Sequence, residues 1–478
     1  MNEITEKNVK QLQQEPFYKT GGADFTSDPW NVHWKDLPYH PRGDVPLSPD
    51  HLRVSFDEIL RNGTPSKRGA LYIHIPFCRL NCTYCAFYKE RENPEEIELY
   101  VSSLLKELEY FRDKPFINQS NIEAVFFGGG TPSLLTPEQI TSVMKTIHSV
   151  FPLSSHAEIT MESSLSDMDD EKMEAAVSAG INRFSFGVQS FNSQVRNHVG
   201  RPDPRELVME KLGHFSKLPI LTIIDLIYGL PYQTEDIIRQ DILDAFSAGI
   251  SGLDLYKLQI HPASVLGKEF KRTHKVQDIR ELQHLFQAAS SVLEEKGGEI
   301  LSCTHWKMKN EERSLYNTIA AEGSDLLPIG VACGGQIGSI RYTKARNLAR
   351  YGGDIGFLPF MGYKKGPFSH ALGYLNSVCD RGIIRLPSLQ KELGDTVFTA
   401  LLPVLQIWEK EKLLVLSADS YYFTSPARFQ YRSMARFLLH TMEYILYGKP
   451  EETSGSWTGM HNMMSVSYTH LTLPTILL

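Results

Sequence analysis

Cys78, Cys82 and Cys85, in the stretch LYIHIPFCRLNCTYCAFY, form a CxxxCxxC triplet. Three thiolates so spaced can hold three irons of a [4Fe-4S] cluster and leave the fourth open to a ligand that is not protein. S-adenosylmethionine (SAM) fits such an iron through its amino and carboxylate groups, and one electron then breaks its sulfonium bond to give a 5′-deoxyadenosyl radical. Two other readings compete. A disulfide framework is disfavoured by only 6 Cys in 478 residues and because three clustered cysteines cannot all pair with one another. Zinc could take a fourth ligand from His74, four residues before Cys78, but the strand-like LYIHI carries His74 back along an extended segment.

Other chemistry-bearing residues fall at the ends of apolar runs. FFGGGTPSLL places Gly128, Gly129, Gly130 and Thr131 where backbone can approach a ligand closely, or where a tight strand-to-helix turn needs glycine. Glu162 ends EITMESS, and a carboxylate there can bind an ammonium or a ribose hydroxyl. Gln189 ends RFSFGVQSFN, Arg201 follows in HVGRPDP, and Asp225 stands inside the apolar IIDLIYGLP. An ionisable side chain in such a run is costly unless partnered, which singles out Asp225.

These residues need a scaffold that brings strand ends together. From Gly69 the chain alternates strand and helix patterns, with strands expected near Ala70 to Ile75, Ile122 to Phe127, Ala157 to Met161, Arg183 to Val188, Leu221 to Ile227 and Gly252 to Leu258. Six such units predict an α/β fold, an incomplete (β/α)6 barrel with its chemistry at the strand C-termini. The expected organisation is an irregular N-terminal arm over 1–68 with one short helix near Phe56 to Arg61, a barrel core over 69–262, and a mainly helical cover over 263–463. Residues 464–478, ending SVSYTHLTLPTILL, continue no pattern; they read as a non-native or disordered tail, with a terminal strand as the alternative. A hydrophobic fraction of 42% supports a large core, and a net charge of −7 makes no general case for nucleic acid or an anionic membrane. No 18-residue apolar run and no targeting pattern occur, so the expected location is cytoplasmic.

In order, YIHIPFC, CxxxCxxC, FFGGGTPS, GVQSFN and DLIYGLP resemble the radical SAM branch that contains oxygen-independent coproporphyrinogen oxidase. The resemblance implies cluster ligation by Cys78, Cys82 and Cys85, and SAM contacts from Tyr72, Tyr84, Gly129, Gly130, Thr131, Glu162, Gln189, Arg201 and Asp225, with Glu162 and Asp225 closest to catalysis. Two departures narrow it. Phe87 stands where the oxidases carry a further cysteine, and CTHWKMKNEERSLYN lacks the HNxxYW-type signature of the heme chaperones.

CTYCAFYKER, THWKMKNEERSLYN and DLLPIGVACGGQIGSI are instead similar to the heme-utilization subgroup, the anaerobilin synthases. That likeness implies an oxidoreductase and methyltransferase chemistry in which heme is degraded without oxygen. A radical from SAM attacks the porphyrin, a SAM-derived carbon is added, the ring opens to a linear tetrapyrrole and iron is released. The implied cofactors are a [4Fe-4S] cluster and one or two molecules of SAM. The implied partners are heme, a flavodoxin- or ferredoxin-type electron donor and a downstream tetrapyrrole reductase. His261, His305 and Tyr316 are the candidates for iron or propionate contact, against the plainer alternative of hydrogen-bonded structural residues. Cys303 and Cys333 read as small buried hydrophobes.

Overall fold

A computed structural model describes residues 3–21, 41–353 and 357–449. Six parallel strands lie side by side in chain order: Gly69–Ile75, Ile122–Gly129, Leu153–Ser163, Arg183–Gln189, Leu221–Tyr228 and Gly252–Lys257. They match the six expected positions closely. The sheet is open and longer than expected. Asp325–Ile329 adds a seventh parallel strand beside Gly69–Ile75, in register from Asp325 opposite Gly69 to Ile329 opposite Ile73. Antiparallel strands then extend that side, and His305–Lys307 pairs antiparallel with Gly252–Lys257 at the other.

Alternation along each strand separates two environments. Leu71, Ile73, Val125, Phe127, Ile159, Met161, Phe184, Phe186, Ile224 and Leu226 join the main hydrophobic core, beneath the helices. The intervening residues, among them Tyr72, Phe126, Glu158, Thr160, Glu162, Arg183, Ser185, Asp225 and Asp254, include the buried polar groups of the sheet. Helix starts are encoded locally. Asn93 accepts from the amides of Glu95 and Glu96, Thr136 and Gln139 form a reciprocal capping box, and Thr234 accepts from Ile237.

The N-terminal arm is more regular than its composition suggests. Helix Pro49–Asn62 begins well before Phe56, with Ser48 as its cap and proline at its first position. A second core gathers Leu12 and Tyr18 with helices Ser369–Arg381, Leu386–Leu393, Asp395–Lys410 and Tyr431–Tyr447. A three-stranded antiparallel sheet accompanies these helices. Among the described residues no helix is long and apolar enough to cross a membrane. The segment 464–478 lies outside the described residues.

Candidate active site at the cysteine loop

The cysteine loop leaves the C-terminal end of the first strand and is pinned on several sides. Phe77–Cys78 pairs with Glu90–Arg91, the Thr83 amide donates to Val199 O (3.2 Å), and Thr83 O accepts from Leu266 (2.8 Å). The Cys85 amide donates to Cys82 O (3.2 Å), closing a turn that brings the two cysteines together in sequence and space. All three thiols are half-buried and free of disulfides. Burial pushes the Cys78 thiol up to about 11 and raises Cys85, while Lys89 partly offsets both. Thiols in this setting become good ligands only when a metal takes the place of their protons.

Among the described residues, no three or more His, Cys, Asp or Glu converge to hold a single metal ion. A cubane asks for something else, one thiolate at each of three separate corners. His74 does not approach the triplet as a zinc ligand would. Its Nδ1 lies 3.1 Å from the Tyr72 hydroxyl, and its ring sits beneath Gly129, where a Cβ would come within 2.6 Å.

The glycine turn rests directly on this loop. Gly130 donates to Ile75 O (2.7 Å) and Thr131 to Phe77 O (2.8 Å), while the Thr131 hydroxyl reaches the Cys78 sulfur at 3.5 Å. A Cβ on Gly130 would stand 2.4 Å from Phe77 O, so only glycine allows this approach. Gly129, at φ +114°, donates to Glu162 Oε2 at 3.2 Å. Burial, then the charge of Asp225, holds the Glu162 carboxyl well above the usual carboxylate range. Asp225 is pushed up to about 8 by burial and by the neighbouring Asp254, although it accepts from Ser185 Oγ at 3.2 Å.

Gln189 shows the local rule-breaking expected of a working site. It is a non-glycine residue at φ +69°, placed where the pairing of the fourth and fifth strands shifts register between Gly187 and Gln189. Left-handed backbone at such a residue costs about 1–3 kcal/mol and persists only where the surroundings over-determine it. Here Arg196 grips Val188 O (2.7 Å) and Ser190 O (3.2 Å). On the other side Asp241 accepts from Ser190 Oγ (2.8 Å) and Phe191 N (2.7 Å). The held conformation turns the Gln189 amide toward Arg201: a Cβ on Gly187 would meet Gln189 Nε2 at 2.8 Å and Arg201 Nη2 at 2.9 Å. Arg201 Nη1 donates to Gly187 O at 2.5 Å. Burial works against its charge, but Cys82, Tyr84 and Asp225 outweigh that and keep it cationic.

Both amide atoms of Gln189 are buried without a hydrogen-bond partner, beside the buried Tyr84 hydroxyl and Arg201 guanidinium, which face each other. Each such group costs about 1–3 kcal/mol. A ligand bearing an amino group, a carboxylate and hydroxyls would satisfy them, so the residues fit SAM beside a cluster on the cysteine loop.

Of the three residues singled out for the porphyrin, His261 is half-buried just after the sixth strand, its Nδ1 accepting from Ala263 N at 3.2 Å. His305 and Tyr316 belong to a segment that packs into the sheet interior. His305 Nδ1 lies 2.9 Å from Asp254 and Nε2 3.2 Å from Glu312, which also takes a fork of contacts from Arg183 (2.9–3.2 Å). Burial disfavours charge on His305, yet the two carboxylates push it up to about 10. Tyr316 is 2% exposed and stacks on Phe126 and Tyr72, with centroids 4.5 and 6.1 Å apart. Internal partners therefore occupy both side chains. Cys303 and Cys333 are buried, as expected. Asp254 and Glu312 were not among the sequence candidates, although Asp254 in GLDLYK repeats the Asp225 signal of an acid within an apolar strand.

Comparison with known proteins gives the chain a family. Residues 72–245 match the model of the radical SAM superfamily. The chain is 32% identical over 309 residues to anaerobilin synthase of Escherichia coli O157:H7, covering 64% of this chain and 69% of that protein. It is 26% identical to heme chaperone HemW of Lactococcus lactis, covering 60% and 74%. It is also 26% identical to oxygen-independent coproporphyrinogen III oxidase of Escherichia coli K12, covering 60% and 65%. The solved coproporphyrinogen III oxidase of Escherichia coli superposes with a TM-score of 0.71 at 20% identity, covering 85% of this chain and 96% of that one, and so has the same fold. The three-cysteine loop, the glycine turn laid upon it and these likenesses together make the chain a member of the radical SAM superfamily, a radical SAM enzyme of the branch that holds anaerobilin synthase and the coproporphyrinogen III oxidases.

Proposed function

We propose that this enzyme degrades heme without oxygen, opening the porphyrin to a linear tetrapyrrole and releasing iron, as an anaerobilin synthase. The observation that carries the reading is the 32% identity to anaerobilin synthase over 309 residues, 64% of this chain and 69% of that protein. Phe87 in place of a further cysteine fits the same choice.

A cluster carrying SAM supplies a 5′-deoxyadenosyl radical on one-electron reduction, and a second SAM is the source of the added carbon. The chain's own residues bind, orient and shield. Cys78, Cys82 and Cys85 are the cluster ligands, and Gly129 and Gly130 offer close backbone contact to the methionine end of SAM. Glu162, with one oxygen on Gly129 N–H, presents the other to an ammonium or hydroxyl. Gln189 gives its orphaned amide to the same ligand, with Arg201 and Tyr84 beside it, and Asp225, held largely protonated at neutral pH, can donate as well as accept. The Tyr72, Phe126 and Tyr316 stack closes the floor against water, which a carbon radical requires.

The test is anaerobic reconstitution with SAM, a reduced flavodoxin and hemin, followed through the Soret band and product mass. Loss of the Soret band with iron release is expected. Bound but unaltered heme would favour the chaperone reading, and turnover of coproporphyrinogen III with CO₂ release, without turnover of hemin, would overturn the proposal. Cys82→Ser should abolish SAM cleavage while leaving heme binding intact.

A further inference from the structure

Helix Val265–Thr273 carries an uneven charge. With the residues that follow it, the segment VLGKEFKRTHKV holds four cations, Lys268, Lys271, Arg272 and Lys275, and one acid, Glu269, in a chain whose net charge is −7. At about 100° per residue, Leu266 and Phe270 share one face and Lys268, Lys271 and Arg272 gather on the opposite one, with Lys275 just past the helix end. Leu266 and Phe270 pack with Tyr84, Cys82 and Cys85, and the Leu266 amide donates to Thr83 O at 2.8 Å. One side of the helix is thus the wall of the cysteine loop, and the three cations of the other side, with Lys275 beyond them, are solvent-exposed.

Glu269, the one acid of the segment, lies 3.4 Å from His198 Nε2, so the cations outnumber it four to one. Exposed apolar groups border the patch: Val265 on the helix, Val276 at 89% exposure beyond it, and Tyr232 at 57%, edge-on to His198. A concentrated basic face in an acidic chain sets up a local positive potential that steers a partner of opposite charge.

We infer that this face is the docking surface for an acidic one-electron carrier protein that reduces the enzyme. The inference rests on the cysteine loop being the cluster site. Electrons must enter where the thiolates lie, and one helix diameter, about 10 Å, separates the basic face from that loop. Complementary charge raises the encounter rate and sets orientation, and it is screened by salt. One electron leaves the carrier, which is oxidised by one equivalent, and nothing else passes between the proteins.

The experiment measures equilibrium binding of oxidised flavodoxin to the reconstituted full chain by calorimetry at low and high salt, for wild type, the charge reversal K268E/K271E/R272E and the neutral variant K268Q/K271Q/R272Q. Binding that weakens with salt is expected, with about tenfold loss in the neutral variant and a larger loss on reversal. Hemin affinity, and SAM cleavage driven by dithionite, should match wild type, which also shows that the variants fold. Unchanged flavodoxin binding in the reversal variant overturns the inference. So does a selective loss of hemin affinity, which would assign the helix to the porphyrin propionates. Failure of dithionite-driven SAM cleavage in wild type would instead count against the cluster reading.

Discussion

At the scale of single residues, the site is assembled from groups that each violate an ordinary preference. Gln189 combines left-handed backbone with a buried amide lacking partners. Gln189→Gly should therefore stabilise the ligand-free protein by about 1 kcal/mol while weakening SAM binding about tenfold, read from thermal unfolding and equilibrium binding. Asp225 offers a test by pH. Its folded value, about 8, lies above the ~3.9 of an unfolded aspartate, so between those limits the folded state binds the extra proton. Stability then falls as pH rises through that window and levels off above it. Asp225→Asn should remove this slope and gain on wild type with rising pH, and parallel denaturation curves across pH 4–8 would contradict it. Asp225 was legible in the sequence because an acid in IIDLIYGLP stands out. The conformation of Gln189 was not, since it is imposed by Arg196 and Asp241, neither of which has a local signature.

At the scale of elements, the six strands were legible because helix-covered strands are near-continuous apolar runs with sharp ends. Strand Asp325–Ile329 was not: it is five residues including Pro328, it falls within the expected helical cover, and its partner lies far back in the chain. The segment from His305 to Tyr316 packs into the sheet interior, its His305 set between Asp254 and Glu312 and its Tyr316 stacked on Phe126. His305 is its keystone. His305→Ala leaves these acids facing each other and should cost about 3–5 kcal/mol at pH 7 in urea unfolding. The folded value of about 10 exceeds the ordinary ~6.5, so the contribution is complete below pH 6.5 and is lost as pH approaches 10. The gap between variant and wild type should narrow over that range; a constant gap would mean a neutral His305.

At the scale of the whole molecule, two hydrophobic cores divide the labour. The first supports the sheet, a smaller cluster around Tyr84 and Leu266 backs the cysteine loop, and the second holds the C-terminal helices together with Leu12 and Tyr18. Trp408 is fully buried in the second, donating to Gly21 O at 2.6 Å and meeting Phe437 edge-on. Trp408→Ala should cost about 3–5 kcal/mol, and limited proteolysis should then cut within 369–447 before the sheet is touched. A sheet closed on one flank by a late strand also has a history. The edge of Gly69–Ile75 stays bare until Asp325–Ile329 has been synthesised, roughly 250 residues later, which at ~5–20 residues per second is on the order of ten to fifty seconds. Throughout that interval the nascent chain presents an apolar, unpaired strand edge to its surroundings, so slower competing association, at lower temperature or with chaperones in excess, should decide how much of the protein is recovered in native form.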